Sequence, residues 1–498
     1  MKREFFGFPI WLLAIGLVCI IYHILVLPIS PLPWFDETYF ASMTLNFMET
    51  GEFNPKIGPL LDYYYPQSKA YGPGYFLVLA SVYKFFGFGV FQTRIPGLLF
   101  GFITPFLGYK ILKESGCKII FCSFFVLLLL FDTIFLQNIH SGRMDSMALM
   151  LAFSGIYCLV VGLKNGSISS FILTGLFFGF AILTTPRIAV CLIGPALFLG
   201  FSFLRRPGLD IFKRAIVVLL LVLAIYSIWV FWGFGGPIQA YNYFFGAPNE
   251  KLYFNNLASA YMDARQYVPF FQIPAICISL LGVIYLLATN KLNQAPIFWI
   301  FILNLVAYYY LVYDTGIYSI FSVPFVYGLI LYALNAVPLP FESKFYLKWI
   351  LYSLLFFNIA LFASKNILVW ATSNTREMST VQEQISKVIP KGSRVIGEEI
   401  FYYAVINSGS DFQYLERGAD GPRRRNYHEK VYDYQYVISR VPASSKAEFD
   451  YYNASAHLKL VHEIKFPKAS GSFVAFRSFL AQLGFYFPRG YEGKIYRR

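Results

Sequence analysis

Charge is scarce in this chain. Lys, Arg, Asp and Glu together make up 14% of its 498 residues, against about a quarter in an ordinary soluble domain. Over most of its length the chain is therefore not a water-soluble globule. Cysteine is sparse too: Cys19, Cys117, Cys122, Cys158, Cys191 and Cys277 all lie in or beside apolar segments, with no CxxC. They read as small apolar side chains, which argues against a zinc centre or a disulfide framework. There is no internal repeat and no low-complexity linker. The first apolar run lacks a small-residue cleavage site and stops at Pro28, so it does not read as a cleaved signal peptide.

What fills the chain instead is apolar. Hydrophobic residues reach 57%, and runs long enough to cross a bilayer recur from end to end, as in a polytopic membrane protein. Such runs must be helical, because lipid offers backbone N–H and C=O groups no partner. The net charge of +14 is not a nucleic-acid signature. Lys and Arg stand singly or in twos at span ends, Arg423-Arg424-Arg425 being the one short cluster.

Eleven spans are expected, at about 8–28, 92–112, 119–138, 144–163, 169–186, 187–204, 213–234, 269–288, 296–313, 317–337 and 346–364. Residues 73–88 are apolar but short, and charge bias decides their place. With 73–88 lying in the interface, the inner loops after residue 90 hold Lys110, Lys113, Lys118, Lys164, Arg205, Arg206, Lys213, Arg214, Lys291, Lys344 and Lys348. The outer side there holds only Arg94, Arg143, Arg187, Lys251 and Arg265. Making 73–88 a span would reverse that ratio.

The amino terminus is then cytoplasmic, and an extracytoplasmic domain follows residue 364. The first outer loop carries Asp36 and Glu37 and two surface-lying helices, of which about 37–49 places Tyr39, Phe40, Met43, Phe47 and Met48 near helical spacing. The fold class is thus an all-α polytopic membrane domain over 1–364 with a small α/β domain over 365–498. In the latter, 376–389 is helical, with Val381, Ile385 and Val388 on one face. Residues 393–397, 434–438 and 472–476 read as strands.

The most informative stretch is Trp34-Phe35-Asp36-Glu37-Thr38-Tyr39, two acids just past the first span. Anions at the rim of a low-dielectric core are poorly solvated, so they call for a cation or for a proton-transfer role. An acceptor hydroxyl attacks well only if a base takes its proton, which suits such a carboxylate. A departing phosphate suits arginine, which can bond it at two points.

The acid pair resembles the motif that opens the first outer loop of the C-type (GT-C) glycosyltransferases, among them the protein O-mannosyltransferases and the bacterial aminoarabinose transferases. Further matches follow in order. Tyr71-Gly72-Pro73-Gly74-Tyr75 through Phe86-Gly87 resembles their proline-bearing interfacial segment. Arg94-Ile95-Pro96 through Gly101 resembles a span start, Arg143-Met144-Asp145 an Arg-x-Asp loop, and Thr185-Pro186-Arg187 a basic turn. The likeness covers about residues 30–205 and is topological beyond.

The resemblance implies transfer of a sugar from a polyprenyl-phosphate carrier to a hydroxyl on a glycan, lipid or protein acceptor, with inversion; the lack of cysteines and of lectin-like repeats after residue 364 points to a bacterial inner membrane. It casts Asp36 and Glu37 as catalytic, with Asp36 the base, and Lys69, Arg94, Arg143 and Arg187 as donor-phosphate contacts. Asp145 is an acceptor or metal candidate, or the partner of Arg143 in a loop-fixing ion pair. A divalent ion is left open, although His140 alone makes no metal site.

One departure stands out. Many members carry a basic residue before a late Tyr-x-x-Pro stretch, whereas Tyr313 to Pro324 holds no Lys or Arg. Among rivals, a flippase of lipid-linked sugars would want charges within spans and broken helices, and only Asp132 fits. An assembly factor has no need of the acid pair. A polysaccharide ligase would carry a late outer loop rich in Arg and His, and 235–268 has only Lys251 and Arg265.

Overall fold

The computed structural model describes residues 4–57, 71–205, 209–245, 296–311, 317–336, 341–414, 434–440, 458–466 and 490–498, and singly Ala475 and Ser478. Lys69, Lys251, Arg265, Tyr313, Asp314, Cys277, the Arg423–Arg425 cluster, the span at 269–288 and nearly all of the strand at 472–476 lie outside them.

The apolar runs fold as helices close to where hydropathy places them: α1 (Ile10–Val26), α2 (Phe35–Thr50), α3 (Pro73–Phe86), α4 (Val90–Glu114), α5 (Ile119–Phe131), α6 (Thr133–Ile139), α7 (Asp145–Asn165), α8 (Ile168–Thr184), α9 (Ala189–Arg205), α10 (Leu209–Trp232), α11 (Pro237–Phe245), α12 (Pro296–Leu311), α13 (Val323–Ala336) and α14 (Phe341–Ala371). Among the described residues, six helices are long and apolar enough to cross a membrane, or seven if α5 and α6 count as one bent span. Helices α1, α3, α8 and α12 are apolar but shorter.

The α5–α6 break turns the chain by 63° and explains the charge at Asp132, inside the expected span 119–138. Asp132 caps α6, its Oδ1 accepting the Phe135 N–H at 2.7 Å. Oδ2 accepts the Tyr327 hydroxyl at 2.7 Å, and Asn358 donates to that hydroxyl at 3.1 Å. A capping carboxylate satisfies amide donors that a helix start leaves open, so this acid has a structural occupation.

The two ends of the bundle differ in chemistry. At one end a short hairpin, β1 (Glu4–Phe5) with β2 (Phe8–Pro9), leads into α1. Lys110 donates to the Phe6 carbonyl at 2.6 Å, Lys113 to Gly7 at 3.1 Å, and Lys164 pairs with Glu114 at 3.0 Å. These are lysines that the charge bias puts inside, gathered beside the amino terminus. At the other end lie α2, α3 and a carboxyl-terminal α/β domain.

That domain is built on a five-stranded sheet in the order β4 (Asp411–Tyr414), β3 (Arg394–Gly397), β5 (Tyr436–Arg440), β7 (Gly493–Arg497), β6 (Lys459–Ile464). β3 runs parallel to β4 and β5, while β7 is antiparallel to β5 and β6. Helix α15 (Met378–Ser386) buries Val381 and Ile385 as their four-residue spacing demands. Helix α16 (Tyr402–Asn407) crosses from β3 to β4. The α/β reading and two of its three expected strands are present.

The expectation that 37–49 lies on a surface is not met. Residues 37–44 of α2 are all buried, because α2 packs into a core built jointly with α3 and the carboxyl-terminal α/β domain. Tyr39, Phe40 and Met43 of α2 share one apolar core with Tyr75, Phe76 and Leu79 of α3 and with Val381, Ile400, Tyr403 and Phe412 of the soluble domain. Helix α3 buries Tyr75, Phe76, Leu79 and Tyr83 and leaves Leu77, Phe85 and Phe86 exposed, a two-faced pattern suited to an interface.

Candidate active site

Both acids of the sequence motif sit in the first turn of α2, where carboxylates complement the helix dipole. Adjacent helical residues point about 100° apart, and the two side chains meet different partners. Glu37 turns inward. Its Oε1 accepts Arg94 Nε and its Oε2 accepts Arg94 Nη2, each at 2.8 Å, and neither side chain is exposed at all. Arg94 Nη1 donates to the Leu27 carbonyl at 2.8 Å. The Tyr403 hydroxyl, from the soluble domain, donates to Glu37 Oε1 at 3.3 Å. Burial pushes the Glu37 carboxyl above its usual range, against the opposing pull of Arg94.

Asp36 keeps 29% of its side chain exposed. Arg143 bridges it to Asp145, Nη1 reaching Asp36 Oδ2 and Nε reaching Asp145 Oδ2. Arg143 is almost wholly buried. Burial works against its charge, but Asp145 and Asp36 outweigh that and hold its pKa well above normal, so it stays a cation. Asp145 Oδ1 is buried and has no hydrogen-bond partner among the described residues. Three rings surround the guanidinium, with centroids 5.4 Å (Trp34), 6.0 Å (Phe40) and 5.1 Å (Tyr318) from its carbon.

The loop that delivers Arg143 turns at Gly142, whose φ of +64° favours glycine. A Cβ there would also come within 3.0 Å of Glu37 Cγ and Thr93 Cγ2. The Gly142 carbonyl accepts the Tyr75 hydroxyl at 3.0 Å, and Trp34 Nε1 donates to the Ser141 carbonyl at 3.3 Å. His140 Nδ1 lies 3.3 Å from the Ser30 carbonyl. Burial first, then His23, depress its pKa well below the usual range, so His140 is neutral.

Arg187 completes the cluster from the turn after α8. It donates to the Tyr71 hydroxyl at 2.7 Å and lies over the rings of Tyr318, at 4.5 Å, and Tyr71, at 5.4 Å. Among the described residues no carboxylate pairs with it. Tyr318 therefore lies against both Arg143 and Arg187, in the late segment where the expected basic residue is missing.

The fold thus brings Asp36, Arg143, Asp145 and Arg187 into one cluster, with Glu37 and Arg94 locked to each other directly behind it. Arg94, expected at the donor phosphate, has its Nε, Nη1 and Nη2 bonded to protein. Asp145 takes the ion-pairing alternative. Tyr71 was visible in its motif, but Tyr318 and Gly142 carried no signal of their own, and Tyr403 is 366 residues from its partner Glu37. Among the described residues no three His, Cys, Asp or Glu side chains gather to hold a metal. Asp36 and Asp145 are bridged by a guanidinium, so this donor set does not fit an ion as it stands.

This arrangement of helices, with acids and arginines gathered at one end beside an α/β region, is similar in fold to solved membrane glycosyltransferases. Residues 69–232 match the family of dolichyl-phosphate-mannose-protein mannosyltransferases. Among solved structures, ArnT from Cupriavidus metallidurans bound to undecaprenyl phosphate superposes with a TM-score of 0.59 at 11% identity, covering 98% of this chain and 97% of that one. The Archaeoglobus fulgidus oligosaccharyltransferase, in complex with Zn and sulfate, gives 0.57 at 12% identity, covering 96% and 88%. The arabinofuranosyltransferase AftD from Mycobacteria gives 0.53 at 12% identity over 98% of this chain and 40% of its own. At such identities these likenesses establish the fold. No curated protein matches the chain in sequence.

Proposed function

We propose that this protein is an integral-membrane glycosyltransferase that moves a sugar from a polyprenyl-phosphate donor to an acceptor hydroxyl on the extracytoplasmic face. The observation that carries the reading is the cluster around Asp36. A partly exposed carboxylate is paired with the buried Arg143, and the half-buried Arg187, which shares Tyr318 with Arg143, has no carboxylate partner among the described residues. Undecaprenyl phosphate in the ArnT structure and the mannosyltransferase match over 69–232 support the donor class.

In this reading Asp36 takes the proton of the acceptor hydroxyl as its oxygen attacks the anomeric carbon. The bond from that carbon to the phosphate oxygen breaks, its electron pair staying with the phosphate, so the sugar arrives with inverted configuration. Arg187, with Lys69 as a further candidate, stabilises the charge that builds on the leaving phosphate. Arg143 aims Asp36 and adds positive field from the same side. Glu37 and Arg94 fix the turn from which Asp36 projects, and Asp145 sets the register of Arg143. The organisation is a transmembrane unit over 1–364 and an extracytoplasmic unit over 365–498, in a bacterial inner membrane with the amino terminus cytoplasmic.

The test is mass spectrometry of membrane lipids and envelope glycans with and without the gene. A glycosyltransferase leaves an accumulated polyprenyl-phosphate sugar and a missing glycan. If neither pool changes while the purified protein fails to bind undecaprenyl phosphate, the proposal is wrong.

A further inference from the structure

The turn that carries Asp36 is held from the soluble domain on both sides. Phe35, one residue before it, packs its ring 4.8 Å from that of Tyr414 on the edge strand β4. Glu37, one residue after it, accepts the Tyr403 hydroxyl from the start of α16. Tyr403 is itself seated by Phe88, whose ring stacks on it at 5.2 Å.

A second set of bonds fixes β4 against α2. The Tyr414 N–H donates to the Ile57 carbonyl at 2.8 Å, and Gln413 Nε2 to the Lys56 carbonyl at 3.1 Å. The Lys56 and Ile57 N–H groups both donate to Ser42 Oγ on α2, at 2.7 and 3.2 Å. The chain of contacts is thus continuous from β4 through residues 56–57 to α2. The α2 N-cap, Trp34, makes no side-chain capping bond, so contacts from elsewhere in the chain add to the hold on this turn.

We infer that Tyr403 and Tyr414 are positioning residues for the transfer reaction, and that the soluble domain is a working part of the active site because it sets where the Asp36 carboxylate points. The inference rests on the assignment of Asp36 as base. Among the described residues the membrane domain meets Asp36 itself through Arg143 and its neighbour Glu37 through Arg94, and the soluble domain adds contacts to the residues on either side of Asp36. A carboxylate that must meet a hydroxyl within hydrogen-bond reach loses rate steeply when displaced by about 1 Å.

Two readouts test this on the full-length protein. Tyr403→Phe deletes one oxygen and keeps the ring. Turnover, measured with the polyprenyl-phosphate sugar extracted from cells lacking the gene, should fall about tenfold. The Kd for undecaprenyl phosphate and the melting temperature should stay near wild type. In a Glu37→Gln background, Tyr403→Phe should cost much less, because the two act through one contact.

Hydrogen exchange is the second readout and needs no activity. Amides of residues 36–40 should exchange faster in Tyr403→Phe and in Tyr414→Leu, while those of β3 stay protected. Unchanged exchange at 36–40 together with unchanged turnover overturns the inference, as does a turnover loss fully additive with Glu37→Gln. If wild-type protein transfers nothing, or Asp36→Asn is as active as wild type, the catalytic reading fails instead. The exchange result then still reports whether the soluble domain holds the turn.

Discussion

Glu37 and Arg94 are joined at two points, both at 2.8 Å, with neither side chain reaching solvent. An arginine–carboxylate fork of this kind fixes direction as well as distance, and here it fixes the helix turn from which Asp36 projects. Removing one partner strands the other as a buried charge, which costs about 3–5 kcal/mol. Arg94→Ala and Glu37→Ala should each lower the melting temperature in detergent sharply. Replacing both with apolar residues of similar size should recover part of the loss. A single variant that melts like wild type would show that the pair holds nothing.

Asp36→Asn keeps the size of the side chain but cannot take a proton. Turnover should drop by about 10²-fold or more, with undecaprenyl phosphate affinity equal to or tighter than wild type, since a negative charge has gone. Steady-state kinetics alongside lipid-binding titration separate the two quantities. Near-normal turnover would remove Asp36 from the role of base.

Arg187→Ala should act on binding rather than on the chemical step. A charge-assisted contact to phosphate is worth about 1.5–3 kcal/mol, so affinity for undecaprenyl phosphate should weaken by roughly 10- to 100-fold. Tyr71→Phe, which removes only the hydroxyl bonded to Arg187, should weaken it less. Equal affinity in Arg187→Ala and wild type would place the phosphate elsewhere.

Gly72 tolerates no side chain. A Cβ there would lie 1.8 Å from the Leu183 carbonyl oxygen, and backbone does not move aside as a flexible side chain does. Gly72→Ala should push the start of α3 off α8, displacing Tyr71 and with it Arg187. The expected result is reduced thermal stability and weakened lipid binding together; a variant with both unchanged would contradict the close approach.

Membrane sidedness follows from charge and can be read directly. Reporter fusions after Lys164 and Lys291 should report cytoplasm, and fusions after Arg187 and at the carboxyl terminus should report the outside. The gathering of Lys110, Lys113 and Lys164 at the amino-terminal end of the bundle agrees with that assignment. A cytoplasmic carboxyl terminus would put the Asp36 cluster on the wrong face.

By itself the sequence determined the elements and the chemistry on offer. Hydropathy placed the helices, since a segment in lipid must satisfy its own backbone, and period placed Val381 and Ile385 on the inner face of α15. The acid pair and the arginines at 94, 143 and 187 were legible because charge beside an apolar run is conspicuous. Partnership was not legible, because an arginine that grips a protein carboxylate and one that awaits a phosphate have the same one-letter code. Only the tertiary structure decided that Arg94 is taken up by Glu37 while Arg187, among the described residues, meets Tyr71 and Tyr318. It also decided that α2 is buried, since its apolar residues share a core with side chains encoded more than 300 residues later. Local pattern records what a residue prefers to be near; contacts between distant segments select which of those preferences is met.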